Sequence, residues 1–329
     1  MRAFEYVRAA DVDAAVATVT DDPFASYLAG GTTQVDLMKD GVLAPERLVD
    51  ITRLPLHGIE HGPDTIHVGA LTTMEELAAD PTVVARLPIV REALLLGAST
   101  QLRNMATIGG NLLQRTRCRY FRDPSVPACN KRSPGSGCAA VTGAARMHAI
   151  LGVSDRCIAL HASDVAVALV ALNAVVRIQG DQGRRSVPLT EFYLESAEDP
   201  VAENMLAHGE LITGIEIPLL PEGARSGYLK VRDRVSYEFA LVSAGVALVI
   251  EDGVIQDARI GLGGVGSKPW RARSAEEVLI GAPPAVETYR AAAAAALAGA
   301  WTVPGTAFKV ELAQRTLVRT LQNVTEVSS

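Results

Sequence analysis

The chain has 329 residues, 48% of them hydrophobic and 21% charged, with a formal net charge of -6. That length supports two or three domains and a sizeable core; the acidic balance argues against a nucleic-acid partner, and no apolar run reaches the length of a bilayer span. The opening residues, MRAFEY, lack the apolar core of a secretion signal, so the expected compartment is the cytoplasm, with export of a folded complex on a partner's signal as the alternative.

In chain order, Asp11 is placed to cap a helix carrying Ala14, Ala15, Val16 and Val19. A short strand at 27–29 runs into Gly30-Gly31, and 47–51 reads as another strand, so residues 1–55 form a small α/β unit. A larger α+β unit is expected over 56–220. It begins with a strand at 66–68, a helix carrying Met74, Leu77 and Ala78 capped by Thr72 or Thr73, and a buried helix at 87–96. A second glycine turn follows at 107–111. Residues 113–161 show almost no periodicity, and such long loops are uncommon unless functional or pinned. Regular pattern returns with a helix at 164–172 and strands at 174–178 and 211–217, the last stopped by Pro218. After a linker at 221–226 come strands at 227–231, 239–250 and 256–262, then helices at 273–280, 285–298 and 310–321. Strands followed by helices predict a separate α+β domain over 225–329. Trp270 and Trp301 are expected in the core.

The two glycine turns carry the first chemical signal. Binding a pyrophosphate requires backbone N–H groups and no Cβ in the way, which Gly30 and Gly31 allow. Thr32 and Thr33 add hydroxyls, and a helix starting near Gln34 adds its dipole. The spacing is neither GxGxxG nor a Walker loop. Thr107, Gly109, Gly110 and Asn111 repeat the arrangement with two close-approach positions flanked by side-chain donors. Either turn alone is also what an ordinary loop contains; two together suit a dinucleotide, which has two phosphates to neutralise.

The second signal is the confinement of all four cysteines, Cys118, Cys129, Cys138 and Cys157, to forty residues of the irregular stretch. Thiols in a cytosolic chain stay reduced, so a shared metal site is a better reading than two disulfides. The six histidines (His57, His61, His67, His148, His161 and His208) form no HxH or HExxH pattern and read as structural or surface residues, with His161 near Cys157 in sequence.

The segments AGGTTQVDLM at 29–38, QLRNMATIGGNLLQ at 101–114, SDVAVALVALNAVV at 163–176, ELITGIEIP at 210–218 and YLKVRDRVSYEFALVS at 228–243 resemble the FAD-binding subunit of the molybdenum hydroxylases, the xanthine dehydrogenase and carbon monoxide dehydrogenase group. The resemblance spans nearly the whole chain. It implies a two-subdomain α+β FAD-binding domain of the vanillyl-alcohol oxidase (PCMH) type, followed by the C-terminal α+β domain of carbon monoxide dehydrogenase flavoproteins. It also implies an FAD pyrophosphate held by Ala29, Gly30, Gly31, Thr32, Thr33, Gln34 and Val35 and by Thr107, Ile108, Gly109, Gly110 and Asn111. Asp164 matches the acidic residue at the nucleotide part of FAD, and Ile212 and Lys230 match positions beside the flavin, where a cation favours the reduced ring. From residues alone, Asp164 is equally a helix N-cap, with Ser163 competing, and Lys230 an exposed strand lysine.

About fifty residues separate the GGN turn from the SD helix, more than is common in the family. NLLQRTRC and CNKRSPGSGCAA resemble the subgroup typified by periplasmic aldehyde oxidoreductase, which implies a [4Fe-4S] cluster on the four cysteines. Gaps of ten, eight and eighteen residues, with no CxxC, disfavour zinc. Arg115, Arg117, Arg119, Arg122, Lys131 and Arg132 suit an anionic centre, or a basic loop docking on a partner. The resemblance further implies an electron-transfer subunit, in a heterotrimer or its dimer, beside a molybdenum-cofactor large subunit and a [2Fe-2S] small subunit. Electrons would pass from the partner clusters to FAD and an external acceptor, with an aldehyde as substrate of the complex. The rivals are a reductive complex of the 4-hydroxybenzoyl-CoA reductase type, a zinc-binding assembly subunit and a stand-alone flavin reductase.

Overall fold

In the computed structural model, which describes residues 1–326, three sheets organise the chain. Strands Glu5–Arg8 and Ala25–Leu28 flank Arg47–Asp50 in a parallel sheet. Parallel strands need a crossover connection; the helix Val12–Asp21 joins the two outer strands, with Ala15, Val16 and Val19 buried against the sheet. Asp11 is its cap, accepting 2.7 Å from the Ala14 N–H. Glu5–Arg8 escapes a reading of periodicity because three of its four residues are exposed.

The second sheet is antiparallel, in the order Ile59–His61, Thr65–Gly69, Leu211–Pro218, Val175–Gly180, Gly183–Pro188. Thr73, not Thr72, caps the helix Met74–Ala79, forming a capping box with Glu76. The helices Pro81–Arg86 and Pro88–Leu96 follow, each opened by a proline at its first position, where no N–H is needed. The helix Asp164–Ala171 is buried from Val165 to Ala171, enclosed by the Pro88–Leu96 helix and by strands of the third sheet. A helix apolar on every side must be enclosed in this way.

The third sheet runs antiparallel through Trp270–Arg271, Val254–Gly263, Val242–Glu251 and Arg225–Val231. Its central hairpin turns on Asp252-Gly253, with φ of 50° and 75°. Two positive φ values are what a two-residue primed turn needs, and Asp-Gly supplies them cheaply. Helices Arg273–Leu279, Val286–Ala296 and Phe308–Glu326 build a core on this sheet. Trp301 departs from expectation: it is 39% exposed, in the connection before the last helix. The final three residues of the expected 225–329 domain lie outside the described residues. Between Leu112 and Ser163 regular structure is limited to the single turns Arg119–Arg122 and Ala139–Thr142. Among the described residues no helix is long and apolar enough to cross a membrane.

Candidate cofactor and thiol site

The strand Ala25–Leu28 ends on Ala29, and the chain turns through Gly30-Gly31-Thr32-Thr33 into the six-residue helix Gln34–Lys39. Glycine is required at 30 because a Cβ there would sit 1.8 Å from the Met105 carbonyl oxygen. Gly31 has φ +72°, the left-handed region. Among the described residues no acceptor meets the backbone N–H of Gly31, Thr32 or Thr33, so three donors face a cavity of about 190 Å³. The Gln34 amide nitrogen, buried and without a partner, borders the same space. Tyr27, Ile51 and Ile212 give that cavity its apolar walls.

The second turn works differently. Ile108 N–H donates to Thr72 O, Gly109 N–H to Ala70 O, Asn111 N–H to Thr107 O and Gly110 N–H to Thr107 Oγ1. Its backbone donors are spent inside the protein. What it presents is the bare Cα surface of Gly109 and Gly110 together with the hydroxyl of Thr107. Ile108 is fully buried in the core, and neither it nor Val35 borders a cavity.

A second cavity, about 210 Å³, shares Thr32, Thr33 and Gly110 with the first and extends toward the third sheet. Asp164 and Lys230 both line it. Lys230 Nζ lies 2.7 Å from Asp164 Oδ2 and donates 3.0 Å to Leu96 O. Tyr228 donates 2.8 Å to Asp164 Oδ1, and its hydroxyl lies 2.8 Å from Ser243 Oγ. Lys230 is buried, not an exposed strand lysine. Burial pushes the Asp164 carboxyl above its ordinary range, against the pull of Lys230. Ser163, not Asp164, is the N-cap, accepting from Ala166 N–H at 3.1 Å. Asp164 and Lys230 thus share one chamber and Ile212 faces the other. This differs from the expected grouping of Ile212 with Lys230 at one end of the cofactor and Asp164 at the other.

The four thiols are free and gather in one region. Cys129 and Cys138 face each other across an antiparallel bridge. Cys118 packs in one apolar cluster with Cys129 and in another with Cys138. Burial pushes the Cys118 thiol up to about 11, and neighbouring Cys129 and Cys157 add to that rise. Burial raises Cys157 as well, opposed by the Lys131 charge. Among the described residues no three Cys, His, Asp or Glu side chains are close enough to hold a single metal ion.

The loop is pinned by its own polar residues. Lys131 Nζ donates 2.7 Å to Pro200 O and lies 3.4 Å from Glu203, which also pairs with Arg115. Arg132 donates to the carbonyls of Tyr120, Phe121 and Val126. Arg117 Nη1 and Arg122 Nη1 reach the same Asp36 oxygen at 2.6 and 2.7 Å, and Arg122 also reaches Asp40 at 3.1 Å. Asp36 stands on the helix that follows the first glycine turn. Arg117 continues into the second cavity, with its Nε buried and unpartnered and its guanidinium 4.9 Å from the Phe239 ring centre.

Sequence reasoning missed two residues. His148 places Nε2 3.2 Å from Cys118 Sγ, although nothing in its sequence neighbourhood marks it. Leu37, read only as part of the first motif, both lines the first cavity and packs with Cys118 and Cys129. His161 does not join the thiols in this way. It packs edge-on against Tyr193, ring centres 4.6 Å apart, and burial lowers it to about 4.

Two adjoining cavities that share Thr32, Thr33 and Gly110, with N–H donors left open there, suit a dinucleotide-binding protein. Residues 2–220 match the FAD binding domain in molybdopterin dehydrogenase, and residues 227–324 the CO dehydrogenase flavoprotein C-terminal domain. The aldehyde oxidoreductase FAD-binding subunit PaoB of Escherichia coli (strain K12) is 44% identical over 324 residues, 98% of each chain. The carbon monoxide dehydrogenase medium chain of Afipia carboxidovorans is 32% identical, covering 92% of this chain and 87% of that one. A solved carbon monoxide dehydrogenase from Hydrogenophaga pseudoflava superposes with TM-score 0.79 at 27% identity, over 99% and 98% of the two chains. The chain belongs to the FAD-binding medium subunits of the molybdenum hydroxylases, and is the flavoprotein subunit of an oxidoreductase.

Proposed function

We propose that this chain is the FAD- and [4Fe-4S]-containing electron-transfer subunit of a molybdenum-dependent, aldehyde-oxidising complex. Its partners are a molybdenum-cofactor large subunit and a [2Fe-2S] small subunit. The aldehyde assignment rests on the full-length similarity to PaoB. FAD, when bound, accepts two electrons and releases them singly or in pairs. In this reading Ala29 to Gln34 hold the pyrophosphate through backbone N–H groups and the Thr32 and Thr33 hydroxyls, while Gly109 and Gly110 permit close approach. Val35 and Ile108 support these turns from behind. Asn111 accepts from Ser163 through Oδ1 and so joins the second turn to the cap of the Asp164 helix. Lys230, held by Asp164, provides a positive charge at the end of the cofactor that enters the second cavity, and Ile212 packs at the end in the first.

Cys118, Cys129, Cys138 and Cys157 are the proposed cluster ligands. Their convergence supports the reading: Cys129 and Cys138 meet across a bridge, and Cys118 packs with each of them. One observation carries the pairing of the two centres: Leu37 and Leu43 form a wall common to the first cavity and the Cys118–Cys129 packing. A redox relay needs such proximity; an assembly subunit does not.

The test is anaerobic purification of the full chain with its partners, followed by flavin, iron and sulfide analysis. The reading expects one flavin and a four-iron, four-sulfide centre, lost in Cys129→Ser with FAD retained. Zinc in place of iron, or iron unaffected by Cys129→Ser, would refute the cluster assignment while leaving the flavin assignment standing.

A further inference from the structure

We propose that His148 donates a hydrogen bond to the Cys118 sulfur and thereby raises the reduction potential of the iron–sulfur centre. The inference rests on the four-thiolate reading above and adds a positioning residue to it. The ring is 3% exposed, with Nε2 3.2 Å from Cys118 Sγ. Its Nδ1 is buried without a partner. A thiolate holding iron offers only lone pairs, so with Cys118 as a ligand the 3.2 Å contact is a hydrogen bond with the proton on Nε2.

The backbone around the ring is held from three sides. His148 N–H donates to Ala145 O at 2.9 Å, and Ala149 N–H to Ile158 O at 3.0 Å. The His148 carbonyl accepts from Lys309 Nζ at 2.8 Å, and the same ammonium donates to Gly264 O at 2.7 Å. Lys309 is fully buried on the Phe308–Glu326 helix, and no carboxylate among the described residues pairs with it. A buried ammonium spent on two carbonyls is costly unless fixing those carbonyls matters. Here it ties the thiol region to the last helix and fixes where His148 points. A donor to a cluster sulfur stabilises the form with more negative charge, which is the reduced one.

The experiment uses the anaerobically purified complex carrying wild-type, His148→Phe or His148→Gln chain. Iron and sulfide content is measured first, then the cluster potential by electron paramagnetic resonance during redox titration. His148→Phe keeps a ring of similar size without a donor. It should bind iron fully and show a lower potential, about a tenfold shift in the reduction equilibrium, or 59 mV for one electron. His148→Gln, which keeps a donor, should recover part of the shift. Full iron with an unchanged potential in His148→Phe overturns the inference. Wild-type protein without iron overturns the cluster reading instead. Should His148→Phe fail to fold or to bind iron, proton hyperfine spectroscopy of the reduced wild-type centre decides. A coupled proton that exchanges in D2O and is altered in His148→Gln supports the donor; its absence rejects it.

Discussion

Replacing Lys230 by methionine tests the ion pair at the centre of the second cavity. The lysine side chain is 1% exposed and the aspartate 9%, and the charges meet at 2.7 Å. Methionine fills nearly the same space, so the cavity cost is small; the loss is electrostatic. Asp164 keeps the Tyr228 hydroxyl but loses its main compensating charge. Breaking a buried pair from one side costs about 3–5 kcal/mol, so the folded protein should lose on the order of 10 °C in Tm. The double variant Lys230→Met/Asp164→Asn removes the stranded charge and should recover about half of that cost or more. The sign of the pH effect follows from burial. Asp164 in the folded chain already titrates above its ordinary value, and more so without Lys230. The folded state then holds the proton longer than the unfolded one, so the deficit of Lys230→Met is largest at neutral pH and shrinks on acidification. Differential scanning fluorimetry across pH, with flavin content measured in parallel, reads both effects. A single variant within about 1 kcal/mol of wild type, or a double variant no better than the single, would refute the reasoning.

Gly30→Val places a branched side chain where even a Cβ would meet the Met105 carbonyl at 1.8 Å. It should abolish flavin absorbance in the purified protein, whereas Gly31→Asn, at φ +72°, should fold with a normal circular dichroism spectrum. Asp50 opposes burial with donors from Tyr6, from Thr52 N–H at 2.8 Å and Oγ1 at 2.7 Å, and from Arg8 at 3.0 Å, which together hold its carboxyl well below the usual range. That stability is fully present above the unfolded carboxylate value and is lost progressively as the pH falls from there toward the lower folded value. Asp50→Asn should therefore cost about 2 kcal/mol in denaturant titrations at pH 7, and the gap should close as the pH falls below 4, just above the ordinary value of 3.8.

Local chemistry was legible in the sequence where it is written within a few residues. The cap at Asp11, the capping box at Thr73 and both glycine turns are short-range devices. Edge strands such as Gly183–Pro188 were not, because mostly exposed residues give no alternation. The site divides the same way. The cysteines and turns announce themselves, but Asp164 and Lys230 are joined across 66 residues by sheet packing that no local pattern encodes. His148 reaches Cys118 across 30 residues of aperiodic chain. The closed backbone bonds of the second turn also depend on long-range partners, Ala70 and Thr72, so its division of labour with the first turn emerges only in three dimensions.

Asp36 ties two separate stretches of chain together. One carboxylate, a few residues after the glycines, fastens the arginines on either side of Cys118. A change at this single acidic side chain would loosen both the helix behind the first glycine turn and the segment that carries the thiols.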